Sequence, residues 1–553
     1  MGVADMVVAR RKKVKTAYSA HGMVSTASKI ATDAGVQMLE NGGNAVDAAV
    51  AAAFCLGVTE PQASGLGGQS MALLHMKNGS DEPSTFVLDG SSRAPFSLDP
   101  SRHPSQPLKV GVKATTVPST PATLGYMLET YGTLPLKDVL KPSITAAREG
   151  FKISALQHTL LSRESEKLRE DEQVKAVFFK NGSPLNAGDV VRQSKLADTL
   201  ELMANQGWLD YYLGNIAARI IADMGKRGGL ISEVDLKQIP FPIQREVLKE
   251  SYRGYDLHTF PPPGAGRALV QILNTLECFT REELSPRSAL APVIMAMAFR
   301  AALMNRERFP MDPALYPQLP DKWLLDKENT RRVAERIRNM TSYRVGKAFY
   351  PAPATGETTH LSVADKFGNI VGITQSVELV FGAKTMAGEL GFFYNNYMSA
   401  FDYKNMMHPC YLLPGGRPWS SVAPTLIFQG ERPFMLLGSP GSERISTTLA
   451  QVIVRVIDGD QDLADAVEAP RLHAGSSGKV MIEKRRFTAE TLDALTRTGF
   501  KVSERGEYSF YLGCVQAVMF PQHPGGEFYG VSDPRRDGTA RGPKFIKEAK
   551  ELQ

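Results

Sequence analysis

The sequence predicts an α+β fold, and three observations support this prediction. The chain has 553 residues, which is more than one typical core needs, so two domains or one large layered fold are expected. Amphipathic helical patterns dominate residues 120–350. Strand patterns become frequent after that, starting with two runs of β-type residues at 358–365 and 370–376.

The composition is that of an ordinary globular protein, with 43% hydrophobic and 22% charged residues. The net charge is only +6, because 64 basic residues are nearly balanced by 58 acidic ones. No basic stripe emerges, so no nucleic-acid partner is expected. No apolar run approaches the length of about 18 residues that a membrane span needs, so no membrane partner is expected either.

A basic cluster lies near the N-terminus, between Arg10 and Lys15. Terminal charge of this kind is usually solvated, so residues 1–20 are predicted to form a flexible tail. No apolar run follows the cluster, as a signal peptide would require, and Met6 stands where a myristoylation motif has Ser or Thr. We therefore expect a cytoplasmic protein.

Neither a metal nor a cofactor is expected. The four cysteines, at positions 55, 278, 410 and 514, show no metal-binding or redox spacing. The glycine-rich stretch at 64–68 is not followed by the Lys-Ser or Lys-Thr of a phosphate-binding loop.

Turn and cap residues divide the rest of the chain into elements. Helices are expected at 25–41, before Gly42 and Gly43, and from Asn44 or Asp47 to about Gly57. Further predicted helices lie at 123–131, 136–149, 194–206, 211–226, 266–279 and 445–457, and predicted strands lie at 71–76, 85–89, 424–428 and 433–438. A breaker-rich linker is expected at 351–356.

The two runs at 358–365 and 370–376 flank a polar segment, residues 366–369, which is typical of a tight hairpin. Folding the runs together places Ser376 opposite Thr358 or Thr359. Two hydroxyl groups then lie side by side at the open end of the hairpin. The alternative is that the threonines are ordinary strand residues, since Thr favours strands.

Three blocks of sequence resemble the γ-glutamyltranspeptidase family. Thr-Thr-His-Leu-Ser-Val at 358–363, followed by Asp-Lys-Phe-Gly-Asn at 365–369, resembles its processing site. The stretch at 39–68 resembles the opening of the family, and Asp-Pro-Arg-Arg-Asp-Gly at 533–538 resembles its closing block. The resemblance spans about residues 21–542 and implies a four-layer αββα sandwich of the N-terminal nucleophile hydrolase type.

The resemblance also implies self-cleavage between Glu357 and Thr358. A large subunit, 21–357, and a small subunit, 358–553, would then form one fold as a heterodimer, and the resemblance leaves further oligomerisation open. A Thr hydroxyl is a weak nucleophile, and the freed α-amino group of Thr358, with an ordinary pKa near 8, supplies the base that it needs. Ser376 stands where the family usually has a second Thr, and it is expected to hydrogen-bond the nucleophile.

Other site residues follow from the same resemblance. The amides of Gly441 and Ser442, in a turn before a helix, are expected to form an oxyanion hole. Three further residues are expected to bind substrate. Ser420 and Ser421 are expected to hydrogen-bond a carboxylate of the substrate, and Glu378 is expected to pair with a cationic group. Tyr397, in the Asn-Asn-Tyr-Met motif at 395–398, is also expected at the substrate.

Two positions depart from the transpeptidase pattern. Ser91 stands where transpeptidases have an Arg that clamps the substrate α-carboxylate, and Arg93, two residues further on, is a candidate replacement. Ala400 stands where they have an Asp that binds the α-ammonium group.

Three functions follow from these patterns. The first is a γ-glutamyl hydrolase or transferase acting on a small-molecule amide. The second is a non-glutamyl amidohydrolase like the cephalosporin acylase-like or oxamate amidohydrolase-like branches, whose Asp-Gly-Ser-x-Arg-Ala-Pro text matches residues 89–95. The third is an unprocessed, non-catalytic binding homologue, against which Thr358, Ser376 and the glycine turn argue.

Overall fold

The computed structural model describes residues 14–77, 82–99, 108–308, 321–339, 356–406 and 408–546. Numbered in chain order, the strands are β1 Lys15–Ser19, β2 Gly22–Thr26, β3 Gln69–Met76, β4 Ser84–Gly90, β5 Phe151–Lys152, β6 Phe179–Lys180, β7 Ser183–Pro184, β8 Val190–Val191, β9 Ile243–Glu246, β10 Leu248–Tyr252, β11 Tyr255–Thr259, β12 Gly356–Asp365, β13 Ile370–Leu379, β14 Thr425–Gln429, β15 Arg432–Gly438, β16 Leu472–Ala474, β17 Lys479–Ile482, β18 Lys501–Glu504, β19 Gln516–Met519, β20 Phe528–Ser532 and β21 Thr539–Arg541. The helices are α1 Lys29–Glu40, α2 Ala45–Thr59, α3 Thr120–Tyr131, α4 Leu136–Glu149, α5 Ala155–Leu168, α6 Glu172–Phe178, α7 Ser194–Gln206, α8 Asp210–Leu213, α9 Asn215–Arg227, α10 Glu233–Lys237, α11 Gly266–Glu277, α12 Ala291–Arg308, α13 Asp321–Leu325, α14 Lys327–Arg338, α15 Arg444–Ile457, α16 Leu463–Glu468 and α17 Ala489–Arg497.

Two seven-stranded antiparallel sheets form the centre of the molecule. The first has the strand order β1-β20-β19-β15-β14-β11-β10, and the second has the order β21-β2-β12-β13-β3-β4-β9. Apolar side chains from both sheets, among them Met71 and Leu73 from β3 and Leu426 and Leu436 from β14 and β15, pack together between them. The two sheets are therefore stacked face to face.

Helices cover the outer face of each sheet. Residues of α1, α2, α4 and α7 share a hydrophobic core with β12 and β13 of the second sheet. Residues of α11, α12 and α15 share another core with β14 and β15 of the first sheet. The resulting order, helices, sheet, sheet, helices, confirms the predicted α+β fold with four αββα layers.

Helix α2 packs directly behind the hairpin of β12 and β13. It starts with a capping box, in which the Asn44 side chain accepts from the amides of Val46 and Asp47, and the Asp47 side chain accepts from the Asn44 amide. Its alanines are buried, and their small side chains allow the helix to approach the sheet closely. A central strand backed in this way is a rigid support for a reactive side chain.

Several element boundaries differ from the predictions. The helix predicted at 25–41 starts only at Lys29, because Gly22–Thr26 forms strand β2 beside β12. The helix predicted at 211–226 is divided at Gly214 into α8 and α9. By contrast, α4 and α7 begin and end at the predicted residues. Sheet pairing, which local sequence does not show, accounts for the first difference.

Part of the segment predicted as an N-terminal tail forms a strand. Lys15–Ser19 forms β1, which pairs with β20 at the edge of the first sheet, and Tyr18 stacks on Tyr529 with ring centroids 4.5 Å apart. The prediction of a flexible tail over 1–20 is therefore wrong for this strand. Residues 1–13 and the linker predicted at 351–356, except Gly356, lie outside the described residues. No helix in the described ranges is long and apolar enough to cross a membrane.

Candidate active site

The hairpin forms as predicted and sets the position of Thr358. Strands β12 and β13 pair with Thr358 opposite Ser376, and the register shifts between Glu357 and Thr358. At the turn, the Asp365 carboxylate accepts from the amides of Phe367 and Asn369, at 2.8 and 3.0 Å. Strand β2 pairs with β12 only from Leu361 onwards, so among the described residues the Thr358 end of β12 has a strand neighbour on one side alone.

The Ser376 hydroxyl points at the peptide bond before Thr358. Its Oγ donates to the carbonyl oxygen of Glu357 at 2.6 Å, and it accepts from the Glu378 amide at 2.8 Å. The family resemblance implied a hydrogen bond from Ser376 to the nucleophile, whereas here the partner is the carbonyl next to it. A donor in this place polarises the Glu357 carbonyl towards attack by a nucleophile.

Thr358 lines a small pocket that is partly open to solvent, called the cavity below. The lining residues are Gly356, Thr358, Ser376, Glu378, Tyr397, Trp419, Ser420, Ser421, Val422, Ser442 and Ile445. Seven of the residues predicted for the site are among them, although they come from four separate parts of the chain. Gly441 precedes Ser442 in the same turn, while Arg93 is not a lining residue.

The turn before α15 contains two consecutive residues with positive φ, Gly441 and Ser442. Gly441 has φ +127° and Ser442 has φ +55°, a left-handed conformation that is uncommon for a residue with a side chain. Within the described part of the chain, neither amide donates to another group. The Ser442 hydroxyl lies close to Gly356, since a Cβ on that glycine would be 3.1 Å from it. The turn therefore adjoins the strand segment that carries the Glu357–Thr358 bond.

Glu378 lines the cavity in an unusual state. Its backbone is left-handed, with φ +79°. Burial raises the pKa of its carboxyl group to about 7, although the positive charge of Arg306 acts in the opposite direction. The carboxyl group therefore changes between a neutral donor and an anion close to neutral pH.

Arg306, on α12, is a site residue that the sequence reasoning missed. Its Nη2 donates to the Ser420 carbonyl at 2.6 Å and to the Ser421 hydroxyl at 3.0 Å, and its guanidinium lies 4.3 Å from the Trp419 ring centroid. Burial lowers its pKa to about 10, so it stays charged. Arg306 thus fixes the position of the Ser420–Ser421 pair, which forms one wall of the cavity and is called the Ser420–Ser421 wall. The sequence offered little signal, because Arg306 is one of three arginines in this helix, with Arg300 and Arg308.

Tyr397 is fully enclosed at the same cavity. Burial raises its pKa well above the ordinary value, and the charge of Glu378 adds to this effect, while Ser376 and Gln69 favour the ionised form. The phenol is therefore neutral at physiological pH. A neutral hydroxyl beside Ser376 can donate to, or accept from, a bound substrate.

The region in which the sequence predicts the substrate headgroup is centred on the Asp89 carboxylate. The Ser91 hydroxyl donates to Asp89 Oδ1 at 2.6 Å, and Arg245 and Arg417 both contact Asp89 Oδ2 at 3.3 Å. Arg93 lies close enough to this group for its pKa to be lowered, first by burial and then by Arg417, with Asp89 acting against them. Ser91 is thus turned towards Asp89, and the two cations that pair with this carboxylate, Arg245 and Arg417, come from distant parts of the chain.

The two-sheet sandwich and the threonine at the end of its central strand define a class, the N-terminal nucleophile hydrolases. The family model for gamma-glutamyltranspeptidase matches residues 31–542, and the chain belongs to this family. It is 37% identical over 538 residues to the glutathione hydrolase proenzyme of Escherichia coli (strain K12), covering 93% of this chain and 90% of that protein.

Acylases are also among the relatives. The chain is 32% identical to the Acylase ACY 1 proenzyme of Pseudomonas sp. (strain V22), covering 95% of this chain and 94% of that protein. The crystal structure of cephalosporin acylase from Bacillus halodurans superposes with a TM-score of 0.86 at 27% identity, covering 98% of this chain and 99% of that one. The protein is therefore an enzyme of a proenzyme family, and the resemblance found in the sequence is confirmed, including its acylase-like branch.

Proposed function

We propose that the protein cleaves its own Glu357–Thr358 bond and then acts as an amidohydrolase or acyltransferase through an acyl-Thr358 intermediate. The observation that supports this most directly is the position of Thr358 at the cavity, opposite Ser376 and beside the Gly441–Ser442 turn. The products are a large subunit ending at Glu357 and a small subunit, 358–553, which stay together as a heterodimer. The cytoplasmic location expected from the sequence is part of this proposal, and cell fractionation tests it.

In self-cleavage, the Thr358 hydroxyl attacks the carbonyl carbon of Glu357. The Ser376 hydroxyl, 2.6 Å from the carbonyl oxygen, donates to the negative charge that develops there. The peptide C–N bond then breaks, the nitrogen takes the proton of the hydroxyl, and an ester joins Glu357 to Thr358. Water hydrolyses this ester and leaves a carboxylate on Glu357 and a free amine on Thr358.

In turnover, the freed amine accepts the hydroxyl proton while Thr358 Oγ1 attacks the substrate amide. The amides of Gly441 and Ser442 donate to the tetrahedral oxyanion, and such donors are worth about 3 kcal/mol of barrier each. The ammonium then protonates the leaving amine. Water or a second amine attacks the acyl-Thr358 ester and releases the product.

The preferred substrate is an amide whose acyl part carries a carboxylate. Ser420 and Ser421 line the cavity and serve as the carboxylate-binding pair, while Glu378 in its ionised form pairs with a substrate ammonium group. A γ-glutamyl amide has both groups. The relatives that are glutathione hydrolases support this choice.

A second acyl group is favoured by specific observations. Ser91 is bonded to Asp89, and Ala400 offers a methyl group where an α-ammonium would need an anion. Both changes weaken the binding of an α-amino acid headgroup, whereas Arg93 adds a cation nearby. A simple acyl group with a terminal carboxylate, such as glutaryl, suits this arrangement, and relatives that are acylases support it.

An intact-mass spectrum of the purified protein is the first test, and two fragments divided before Thr358 are expected. The second test compares the p-nitroanilides of γ-glutamate and glutarate, which differ only in the α-ammonium group. Faster turnover of the γ-glutamyl compound supports a γ-glutamyl substrate, and faster turnover of the glutaryl compound supports an acyl group without the α-ammonium. A single intact chain that hydrolyses neither compound would overturn the proposed function.

A further inference from the structure

A buried ion-pair network holds both neighbours of Thr358. Glu60, the residue directly after α2, accepts from the Thr359 hydroxyl at 2.6 Å. Its other carboxylate oxygen pairs with Arg536 at 3.4 Å, and Arg536 also forms an ion pair with the Glu357 carboxylate. The side chains of Glu60, Arg536 and Glu357 are almost fully buried. The residues on either side of Thr358 are thus tied to one Glu60–Arg536 pair.

This network has a direct geometric relation to the peptide bond before Thr358. The strand register shifts between Glu357 and Thr358, so the hairpin pairing does not hold this bond in a regular ladder. The Glu357 carbonyl receives the Ser376 hydroxyl, and the Glu357 side chain receives Arg536. One residue is therefore anchored through its backbone and through its side chain.

The charges in the network support each other. Burial alone would lower the pKa of Arg536. The negative charges of Glu357 and Glu60 outweigh this effect of burial, so the pKa of Arg536 is raised. Burial raises the pKa of Glu60, and Arg536 offsets part of this rise. A charged pair kept in the interior at this cost is notable, because a buried ion pair often adds little to stability compared with apolar residues.

We propose that the Glu60–Arg536 pair positions the Glu357–Thr358 bond for self-cleavage. It holds Glu357 and Thr359 so that the hydroxyls of Thr358 and Ser376 meet the same carbonyl group. This inference rests on the proposed self-cleavage at that bond. Misplacement of a reacting group by about 1 Å can cost about 100-fold in rate. Loss of the contacts that Glu60 and Arg536 make with Thr359 and Glu357 should therefore slow self-cleavage strongly.

The test measures the rate of cleavage in freshly synthesised full-length chain, followed by pulse-chase and intact mass. Glu357→Gln and Arg536→Met each slow cleavage by at least about 10-fold. The double variant is no slower than the slower single variant, because both changes remove the same contact. Thr359→Val removes the hydroxyl that binds Glu60 at nearly constant volume, and it also slows cleavage.

Arg253→Met is the matched control. It breaks a different ion pair, Arg253 to Asp458 at 2.7 Å, next to β10 at the far edge of the first sheet. Its cleavage rate stays within about twofold of the original chain, since sites far apart act independently. Unfolding temperatures are compared in the uncleaved Thr358→Ala background, which separates slow cleavage from poor folding.

The outcomes distinguish this inference from the proposed function. A chain with Arg536→Met that folds and cleaves at the original rate overturns the inference and leaves self-cleavage intact. If Arg536→Met does not fold, Glu357→Gln and Thr359→Val decide, and normal cleavage in both overturns the inference. Fully additive effects in the double variant also contradict it. Cleavage of the Thr358→Ala chain would overturn the proposed function itself.

Discussion

The two ends of the cavity are built differently. At the Thr358 end, Ser376 is held by the Glu378 amide and directed at the Glu357 carbonyl, within a strand pair at the centre of a sheet. At the substrate end, which is defined here by Glu378 and the Ser420–Ser421 pair, Glu378 carries a carboxyl group with a pKa of about 7, and Arg306 binds the serine pair. In the proposed function, the reaction chemistry thus depends on sheet geometry, whereas substrate choice depends on individual side chains. Substitutions at the two ends should have different consequences.

The largest effect is expected from Thr358→Ala, at the reactive end. The hydroxyl is the proposed nucleophile of both reactions, so the variant stays a single chain and has no detectable anilide turnover. Thr358→Ser is the matched control, because it keeps a hydroxyl group and still cleaves itself. Mass spectrometry and an anilide assay check both variants. Turnover by the alanine variant would contradict the assignment of the nucleophile.

Ser376→Ala tests the hydrogen bond to the Glu357 carbonyl. Loss of one donor to a developing oxyanion typically costs about 10²–10³-fold in rate, and self-cleavage should slow by this amount. Ser376→Thr keeps the hydroxyl and retains most of the rate. Pulse-chase of the precursor measures both. Equal cleavage rates in the alanine variant and the original chain would show that this hydroxyl does not act on the bond.

Because Glu378 titrates near neutral pH, we expect the pH dependence of kcat/KM to differ between substrates. Burial raises its pKa to about 7, so it is mostly neutral below that pH and an anion above it. Because only the anion pairs with an ammonium group, kcat/KM for a γ-glutamyl anilide should rise as the pH rises through about 7. Below this region it falls by up to about tenfold per pH unit.

A glutaryl anilide and Glu378→Gln serve as controls for this prediction. The glutaryl compound has no ammonium group, so its profile lacks the change that Glu378 causes. The titration of the Thr358 amine, with an ordinary pKa near 8, remains common to both substrates. In Glu378→Gln the two profiles take the same shape. Profiles that already coincide in the original enzyme would remove Glu378 from substrate recognition.

The smallest effect is expected from Ser442→Gly at the oxyanion turn. The backbone amide, and not the hydroxyl, is the proposed donor, and Gly adopts the left-handed conformation of this residue easily. Steady-state kcat should therefore stay within about threefold of the original value, since donor geometry is kept. A loss of 100-fold would show that the Ser442 side chain itself takes part.

Much of the fold and site was predictable because the signals are local. The hairpin of β12 and β13 followed from two β-type runs and a polar turn. Its predicted register placed Ser376 opposite Thr358 or Thr359, and the structure has Thr358. Helices α4 and α7 were predicted with their observed ends. Caps, turns and side-chain periodicity act over a few residues, so they can be predicted from the sequence.

Other features were not predictable because they depend on distant partners. Strand β1 was predicted to be part of a flexible tail, and the last two residues of β2 were predicted to start a helix. Each of these strands pairs with a strand hundreds of residues away. Arg306 looked like part of an ordinary helix until α12 packed behind Ser420 and Ser421. Likewise, Arg536 and Glu60 meet Glu357 and Thr359 only when both ends of the chain are folded.

The sequence by itself determined the chemical groups of the proposed reaction, namely a Thr at a processing motif, a Ser opposite it and a glycine turn before a helix. These groups lie within short segments whose conformation is set by neighbouring residues. The tertiary structure alone decided where Ser376 points, which cation supports the Ser420–Ser421 wall and how readily Glu378 ionises. Burial and charge placement arise from all four layers together, and for that reason no single segment of the chain specifies them.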